Sequence, residues 1–316
     1  MGRRVLATLA LIMTLALVGA ACAEGGSDTT TPPTTTGTTT GSTTPPTTTG
    51  STTAPTTTGP TTTGPTTSGP VIPPATTLKE GTLTVGSCLD YRPFEFTKNG
   101  ELTGFDVEIM EEIASRMGLT GVTWVKANFD TIFIALATGQ RFDAVAAAST
   151  ITPEREQQVD FSEPYYNSRQ SLTINKDKTP DVATTDDLKS GDIVGVQKGT
   201  TGKDWATDNL APKGIQVRTY TNVTEAFTDL EAGRIVGVVN DEPSSISETE
   251  SRPSLEVVEA IDTGEHYGIA INPQNDTLKP AIDASLAALI ADGTYAQLFK
   301  KYFPTLPLPP EYEPTA

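Results

Sequence analysis

The stretch Ala147-Ala148-Ser149-Thr150-Ile151-Thr152-Pro153-Glu154-Arg155 is the most informative part of this chain. Residues 142–147 predict an apolar strand, which ends in a turn of small residues, and Arg155 follows eight positions after the strand end. Such a turn offers free backbone N–H groups, and arginine offers a planar set of donors, so together they can bind a carboxylate. Open α/β sheets bind ligands beyond the carboxyl ends of their strands, which favours a ligand site here. From spacing alone, the alternative is a surface arginine paired with Glu154 or Glu156.

Predicted strands and helices alternate on both sides of this stretch. The first series has strands at 82–86, 122–125 and 142–147, and helices at 105–117 and 131–137. The second series has strands at 193–196, 217–220, 235–239 and 267–271, and helices at 201–209, 222–231, 277–291 and 295–303. Alternation of this kind predicts largely parallel sheets. Two such series in one chain predict an α/β protein whose two lobes face each other across a cleft.

The first 21 residues have the composition of a secretory signal. Arg3 and Arg4 precede an apolar run at 5–18, and small residues follow at 19–21. The alternative, a transmembrane helix, is disfavoured because the run is shorter than the roughly 20 residues that a bilayer requires. We therefore expect residues 1–21 to be a signal peptide and the mature protein to act outside the cytoplasm.

Residues 27–77 consist almost wholly of Thr, Pro, Gly and Ser. Such a segment cannot bury enough apolar surface to offset the loss of conformational entropy on folding. We therefore predict that residues 22–77 form a disordered tether, and that the folded part begins near residue 78. The sequence leaves open whether the threonines of this tether are glycosylated.

The formal net charge is −17, which argues against nucleic acid and against adsorption to anionic membranes. Residues 199–203 resemble a phosphate-binding loop only superficially, because Asp204 stands where that loop requires Ser or Thr. We therefore expect neither nucleic acid, nor a metal, nor a cofactor as a partner of this chain.

Several motifs together resemble the family 3 extracellular solute-binding proteins, the polar amino-acid receptors of ABC importers. The motifs are Tyr91-Arg92-Pro93-Phe94-Glu95-Phe96, Gly104-Phe105-Asp106-Val107-Glu108-Ile109, Ile151-Thr152-Pro153-Glu154-Arg155, Asp160-Phe161-Ser162-Glu163-Pro164-Tyr165-Tyr166 and Gly293-Thr294-Tyr295. The resemblance covers nearly all of residues 78–303. It implies a periplasmic-binding-protein type II fold, in which two α/β lobes are joined by two crossing hinge strands.

The resemblance also implies where the lobes lie and how the protein reaches its place of action. Lobe 1 is expected at 78–169 and 266–316, and lobe 2 at 170–265. Cys22 resembles the lipidated cysteine of bacterial lipoproteins, which implies a lipid anchor on the outer face of the cell membrane. The expected motion is a hinge closure that the ligand stabilises by touching both lobes.

Site residues are implied by the resemblance position by position. Arg155 matches the arginine that binds the α-carboxylate of the ligand, and Asp241 matches the acid that binds the α-ammonium group. Four further positions match residues that bind the ligand's polar groups: Ala148 through its backbone, Thr150, Thr201 and Gly202. A zwitterion needs a cation and an anion held apart on opposite walls, which fits this assignment.

Four other positions are implied to surround the side chain of the ligand: Tyr91, Phe129, Gln197 and Cys88. Many relatives have Asp where this chain has Cys88, and a thiol cannot pair with an ammonium or guanidinium group. Asp90 is expected to point to the other side of an extended segment. The sequence therefore favours a polar uncharged or acidic amino acid as ligand. The alternative for Cys88 is a small buried residue without contact to the ligand.

The resemblance implies a monomeric receptor that captures a free amino acid and delivers it to the transmembrane subunits of an ABC importer. We do not expect an enzyme. The alternative is a dehydratase of the cyclohexadienyl or prephenate type, because some proteins with this fold have become dehydratases. Such an enzyme needs a positioned acid or base, and no arrangement of this kind stands out in the sequence. The sole histidine, His266, is expected to be a surface residue near the hinge.

Overall fold

The structure, a computed structural model, describes residues 71–315. The predicted signal peptide, Cys22 and the predicted tether up to residue 70 lie outside the described residues. Two five-stranded sheets and a separate two-stranded hairpin account for the strands of residues 71–315. No helix in that range has both the length and the apolar character needed to cross a membrane.

The first sheet, with its helices, is built from both ends of the described chain. Its strands and the adjacent hairpin are β1 (Leu83–Ser87), β2 and β3 of the hairpin (Phe96–Lys98 and Glu101–Thr103), β4 (Val122–Lys126), β5 (Ala144–Val145), β6 (Asp160–Phe161) and β12 (Ala270–Ile271). The helices are α1 (Phe105–Arg116), α2 (Phe129–Ala137), α3 (Pro153–Glu156), α7 (Leu278–Ala291) and α8 (Thr294–Tyr302). The strand order is β4-β1-β5-β12-β6, and β1 runs parallel to β4 and β5. The carboxyl ends of these three strands therefore meet at one edge.

The second sheet lies in the middle of the chain. Its strands are β7 (Tyr166–Asn175), β8 (Ile193–Gln197), β9 (Gln216–Tyr220), β10 (Gly237–Asp241) and β11 (Leu255–Tyr267), and its helices are α4 (Thr201–Asn209), α5 (Val223–Ala232) and α6 (Glu242–Glu250). The strand order is β11-β7-β10-β8-β9, with β8 parallel to both β9 and β10. The carboxyl ends of β8 and β10 carry Gln197 and Asp241 to the same edge.

Helix starts follow the local sequence. The Asn222 side chain accepts a hydrogen bond from the backbone N–H of Thr224 at 2.8 Å, which confirms the helix start predicted there. Thr200 caps α4 in the same way, through Lys203 N at 3.1 Å. Gly104 precedes α1 with φ 142°, and a Cβ there would lie 2.0 Å from Phe94 O, so only glycine fits.

Two predicted strands differ from the structure. Residues 142–147 predict one strand, but the strand spans only Ala144–Val145. The backbone turns soon afterwards, at Ala148 with φ 46°. Residues 267–271 also predict one strand, but Tyr267 ends β11 and Ala270 begins β12. The sheets are mixed rather than largely parallel, since β12 and β7 each run antiparallel to their neighbours.

The strands β7 and β11 pair with each other in antiparallel fashion over most of their length, from Leu255 opposite Asn175 to Tyr267 opposite Tyr166. Neither strand stood out in the sequence, because polar residues interrupt both. They belong to the second sheet, while Tyr166 and Tyr267 at their ends pack against Phe94. Phe94 belongs with the first sheet and its helices, which are called the first lobe below. The boundaries predicted at 169/170 and 265/266 fall inside these strands and remain a prediction.

An aromatic cluster joins β7 and β11, the two strands that connect the lobes and are called the hinge strands below, to the first lobe. The Phe94 ring lies 5.1 Å from Tyr166, 5.4 Å from Tyr267 and 5.5 Å from Phe303, centroid to centroid. Phe105, the first residue of α1, lies 5.1 Å from Phe303. Edge-to-face aromatic pairs add about 0.5–1.5 kcal/mol each to the burial of their area. The lobe 1 ends of the hinge strands are therefore firmly held.

A candidate ligand-binding cleft

The edges of the two sheets face each other, and a narrow cavity of about 20 Å³ lies between them. Residues of both sheets line it: Cys88, Tyr91, Glu95, Phe129, Ala147, Ala148, Gln197, Thr200 and Asp241. A wider opening of about 540 Å³ adjoins Phe129 and contains Arg155, Gly199 and Thr201. Six of the ten ligand-binding positions predicted from the sequence thus line the narrow cavity, and two more line the opening beside it.

Arg155 lies on the short helix α3, whose start is fixed by Pro153 and by the Thr152 side chain, which accepts from Arg155 N at 3.3 Å. Arg155 as a whole residue is 8 % exposed, so it is not the surface residue that spacing alone allowed. Its Nη1 donates to Thr150 O at 2.6 Å, and its Nη2 donates to Gly199 O at 3.2 Å. Because Gly199 follows β8, this second bond joins the two lobes.

Two aromatic rings flank the Arg155 guanidinium. Its Cζ lies 5.2 Å from the centroid of the Phe129 ring and 4.8 Å from that of Phe133. A cation over an aromatic face is stabilised by the ring quadrupole, and the rings also fix the plane of the fork. Burial lowers the pKa of Arg155, and the negative charge of Asp241 is the main influence that raises it again. The cation and the acid therefore act on each other across the cleft.

Asp241 is the last residue of β10, and two side chains donate hydrogen bonds to its carboxylate. Tyr91 Oη donates to its Oδ2 at 2.7 Å, and Gln170 Nε2 donates to its Oδ1 at 2.6 Å. Burial, and then the nearby charge of Glu265, raise the pKa of Asp241 to about 6. Tyr91 comes from the first lobe, so this bond also crosses the cleft. The arrangement holds a carboxylate at the wall opposite Arg155.

The other predicted polar positions are already engaged. Thr150 Oγ1 and Thr201 Oγ1 both donate to Glu265 Oε2, at 2.6 and 3.0 Å. The Ala148 N–H donates to Asp106 Oδ2 at 2.8 Å, so only the carbonyl of Ala148 remains for a ligand. Gly202 lies against Gln170, where a Cβ would approach Oε1 to 2.5 Å. Thr150 and Gly202 line neither the cavity nor the opening.

Two acids of the cleft were missed at the sequence level. Glu95 lines the narrow cavity and is fully buried, and Glu265 on β11 is buried beneath Thr150 and Thr201. Glu95 lies between Phe94 and Phe96, and a charged residue between two buried aromatics is a signal that could have been used. No comparable signal marks Glu265, because its neighbours along the strand are polar. Within residues 71–315, no cluster of His, Cys, Asp and Glu is arranged to bind a metal.

The fold and the cleft define a two-lobed α/β binding protein whose ligand site lies between the lobes. The chain belongs to the bacterial extracellular solute-binding proteins, family 3, whose family model matches residues 83–305. This match confirms the resemblance and the fold class inferred from the sequence, and it confirms the predicted function at the level of the family, which is extracellular solute binding.

Relatives with assigned ligands cover most of the same residues. A probable histidine-binding protein of Campylobacter jejuni is 34 % identical over 224 residues, 70 % of this chain and 84 % of that protein. The L-cystine-binding protein of Escherichia coli is 32 % identical over 227 residues, 71 % of this chain and 84 % of that protein.

Solved structures agree with this placement. An ancestral arginine-binding protein bound to arginine has a TM-score of 0.67 and 36 % identity, over 71 % of this chain and 98 % of that one. An ancestral amino acid-binding protein, described as a precursor of cyclohexadienyl dehydratase, has a TM-score of 0.65 and 37 % identity, over 71 % and 96 %. The relatives named here are binding proteins, and one stands at the origin of an enzyme.

Proposed function

We propose that this protein captures a free amino acid in the cleft, outside the cytoplasm, and delivers it to the transmembrane subunits of an ABC importer. One observation carries the proposal: a buried guanidinium, Arg155, and a carboxylate, Asp241, lie in one cleft on elements of opposite lobes. An amino acid presents the complementary pair of charges. Relatives that bind histidine, L-cystine and arginine support the same ligand class.

The energetics of the clamp are sufficient for a small ligand. A hydrogen bond to a charged group contributes about 1.5–3 kcal/mol net, so four or five of them contribute about 6–15 kcal/mol. Association costs at least several kcal/mol in lost translational and rotational freedom. When a cost of at least about 4 kcal/mol is subtracted, up to about 11 kcal/mol remains, and micromolar binding requires about 8 kcal/mol.

Entry of the ligand requires the lobes to separate. The narrow cavity of about 20 Å³ has room for about one water molecule, far less than an amino acid needs. The bonds that cross the cleft would break on opening, among them Arg155 to Gly199 O and Tyr91 to Asp241. We propose that the lobes rotate about β7 and β11, that the ligand replaces these bonds, and that it thereby stabilises the closed form.

The finer expectations from the sequence belong to the same proposal. We propose a monomer that is held at the membrane by a lipid on Cys22 and has no enzymatic activity. Fractionation of cells that make Cys22→Ser tests the anchor, because only the wild-type protein should need detergent for release.

The second candidate is a dehydratase acting on a prephenate-like acid. It is favoured by the similar structure described as a precursor of cyclohexadienyl dehydratase and by the raised pKa of two cleft acids, Asp241 and Glu95. Conversion of prephenate by the purified protein would support it. The clamp for both charges of an amino acid favours the receptor.

The decisive experiment is a thermal-shift screen of the purified protein against the twenty amino acids and prephenate. A ligand that binds only the folded state raises the melting temperature. Arg155→Ala should weaken the affinity for the amino acid that binds most tightly by about 10-fold to 100-fold, the loss expected for charge-assisted bonds. The matched control is Arg234→Ala, because Arg234 pairs with Asp229 on the surface of the second lobe. Unchanged affinity in Arg155→Ala would refute the carboxylate role.

A further inference from the structure

Glu95 is a buried acid whose carboxylate has no hydrogen-bond partner among the described residues. Its relative exposure is 0 %, and it lines the narrow cavity beside Cys88, Tyr91 and Phe129. Ser87 Oγ lies nearby, but it does not meet the geometry of a hydrogen bond to either oxygen. Buried carboxylates are almost always paired or bonded, so an isolated one at a ligand cavity needs an explanation.

The other acids around the cavity are all engaged. Asp106 accepts from Ala148 N and Tyr165 Oη, both at 2.8 Å. Asp241 accepts from Tyr91 and Gln170, and Glu265 accepts from four donors: Thr150, Gln170, Thr201 and Thr263. Glu95 is therefore the acid of the cleft that is available to a new partner.

Asp90, the acid closest in sequence to Cys88, already has partners. Lys126 Nζ lies 3.1 Å from its Oδ2, and Asn222 Nδ2 donates to the same atom at 2.7 Å. Its carboxylate therefore faces Lys126 and Asn222. The segment is not extended as the sequence suggested, because Leu89 between Cys88 and Asp90 has φ 63°. Cys88 itself is small, and burial raises the pKa of its thiol well above the ordinary value, so it stays neutral. Cys88 leaves space beside Glu95 without competing for a cation.

We infer that Glu95 binds a cationic group at the end of the ligand's side chain, and that the substrates are therefore basic amino acids such as arginine, lysine or ornithine. This inference rests on the proposed function, because the clamp for the α-carboxylate and α-ammonium groups orients the side chain. It replaces the preference for polar uncharged or acidic ligands, which depended on the thiol of Cys88 and on the expected direction of Asp90.

Binding of a cation at this site releases a proton. Burial, and then the negative charges of Asp106, Asp90 and Asp241, raise the pKa of Glu95 well above its ordinary value. An ammonium or guanidinium group that pairs with the carboxylate favours its ionised form, so binding of the cation shifts the equilibrium toward loss of the proton. The proton leaves to solvent. Calorimetry in buffers with different ionisation enthalpies measures this release directly.

Arginine and citrulline provide a matched pair of ligands, since they share a shape and differ in the charge at the end of the side chain. The wild-type protein should bind arginine at least about 10-fold more tightly than citrulline, as expected for a charge-assisted bond. Glu95→Gln should weaken arginine by about 10-fold to 100-fold, leave citrulline nearly unchanged and abolish the extra proton release. Asp90→Asn is the control and should leave the preference for arginine intact.

The outcomes separate this inference from the proposed function. If the wild-type protein binds glutamine, glutamate or citrulline better than arginine, lysine and ornithine, the assignment of Glu95 is wrong and the amino-acid clamp stands. If no amino acid binds, both are wrong. The wild-type ligand series decides the matter even if Glu95→Gln fails to fold.

Discussion

At the scale of single residues, the cleft depends on groups whose charge is controlled by burial. Arg155 stays cationic while its pKa is lowered by burial, because an arginine titrates far above neutral pH. Asp241 differs, because burial and Glu265 raise its pKa to about 6. The acid that we assign to the α-ammonium group therefore changes its charge within an accessible pH range.

The affinity for amino acids should fall as the pH drops below about 6, since only the ionised form of Asp241 attracts an ammonium group. One proton accounts for about a tenfold loss of affinity per pH unit below that value. Calorimetric titrations between pH 4.5 and 8 measure this effect. In Asp241→Asn the affinity should be weaker at neutral pH, and the loss on acidification should be smaller. An equally steep pH dependence in that variant would contradict the assignment.

The stability of the ligand-free protein should not fall together with its ligand affinity, because two buried carboxyl groups make stability depend on pH in the opposite direction. A carboxyl group whose pKa is raised in the folded state favours folding while it is protonated, so its contribution is complete below its unfolded pKa and disappears as the pH rises through the folded value. For Asp106 and Asp241, whose pKa is raised by burial from the ordinary 3.8 to about 6, that window is roughly pH 4 to 6. These two acids should therefore make the ligand-free protein more stable at pH 5 than at pH 7, while its ligand affinity is lower.

At the scale of elements, the hinge strands contribute directly to the site. Glu265 on β11 accepts bonds from Thr150, in the turn after β5, and from Thr201, the first residue of α4. Gln170 on β7 donates to both Glu265 and Asp241. The strands that join the lobes therefore also hold the two walls of the cleft together when it is closed.

Replacing Glu265 with Gln should weaken ligand binding by about 3-fold to 10-fold. A neutral amide accepts hydroxyl donors less strongly than a carboxylate, and each such bond contributes about 0.5–1.5 kcal/mol net when it is neutral. Isothermal titration with the best amino acid measures the loss. Thr263→Val is the matched control, because Thr263 donates to Glu265 from the same strand and joins no lobes. Equal affinities for wild type and Glu265→Gln would show that the hinge carboxylate does not support closure.

At the scale of the whole molecule, the packing at the hinge differs in kind from the contacts across the cleft. The aromatic cluster around Phe94 fixes Tyr166 and Tyr267 to the first lobe. The hydrogen bonds across the cleft, such as those of Tyr91 and Arg155, are polar contacts. Polar contacts can be exchanged for water or ligand at little net cost, but the aromatic core cannot. Opening should therefore separate the polar walls while both lobes keep their packing.

Cys88 reports on this opening, because it is buried in the cleft and Cys22 is the only other cysteine. In a Cys22→Ser background, a thiol reagent should modify Cys88 slowly without ligand and at least about 10-fold more slowly with saturating ligand, since ligand lowers the population of the open form. With an aromatic disulfide as the reagent, Cys88 forms a mixed disulfide and the aromatic thiolate that leaves is measured by its absorbance. The unfolded protein, in which the thiol is exposed, gives the upper limit of the rate. A rate independent of ligand would contradict hinge closure around the ligand.

Much of the fold could be predicted from the sequence because the signals are local. Periodicity identified α1 and a capping sequence identified α5 within a few residues, and the stretch around Arg155 predicted a carboxylate site at the end of a strand. The signal peptide and the tether predicted in residues 1–77 rest on composition, and the family resemblance of residues 78–303 rests on short motifs, so both need only the sequence.

Only the tertiary structure decided the rest. The long pairing of β7 with β11 joins residues about 90 positions apart, so no local pattern predicts it. The partners of each acid also depend on the fold. Asp90 and Glu95 are five positions apart, yet one is paired and the other lines the cleft without a partner. Residue type and spacing define which charges a chain carries, but packing decides which of them remain available to a ligand, since burial removes water as the alternative partner.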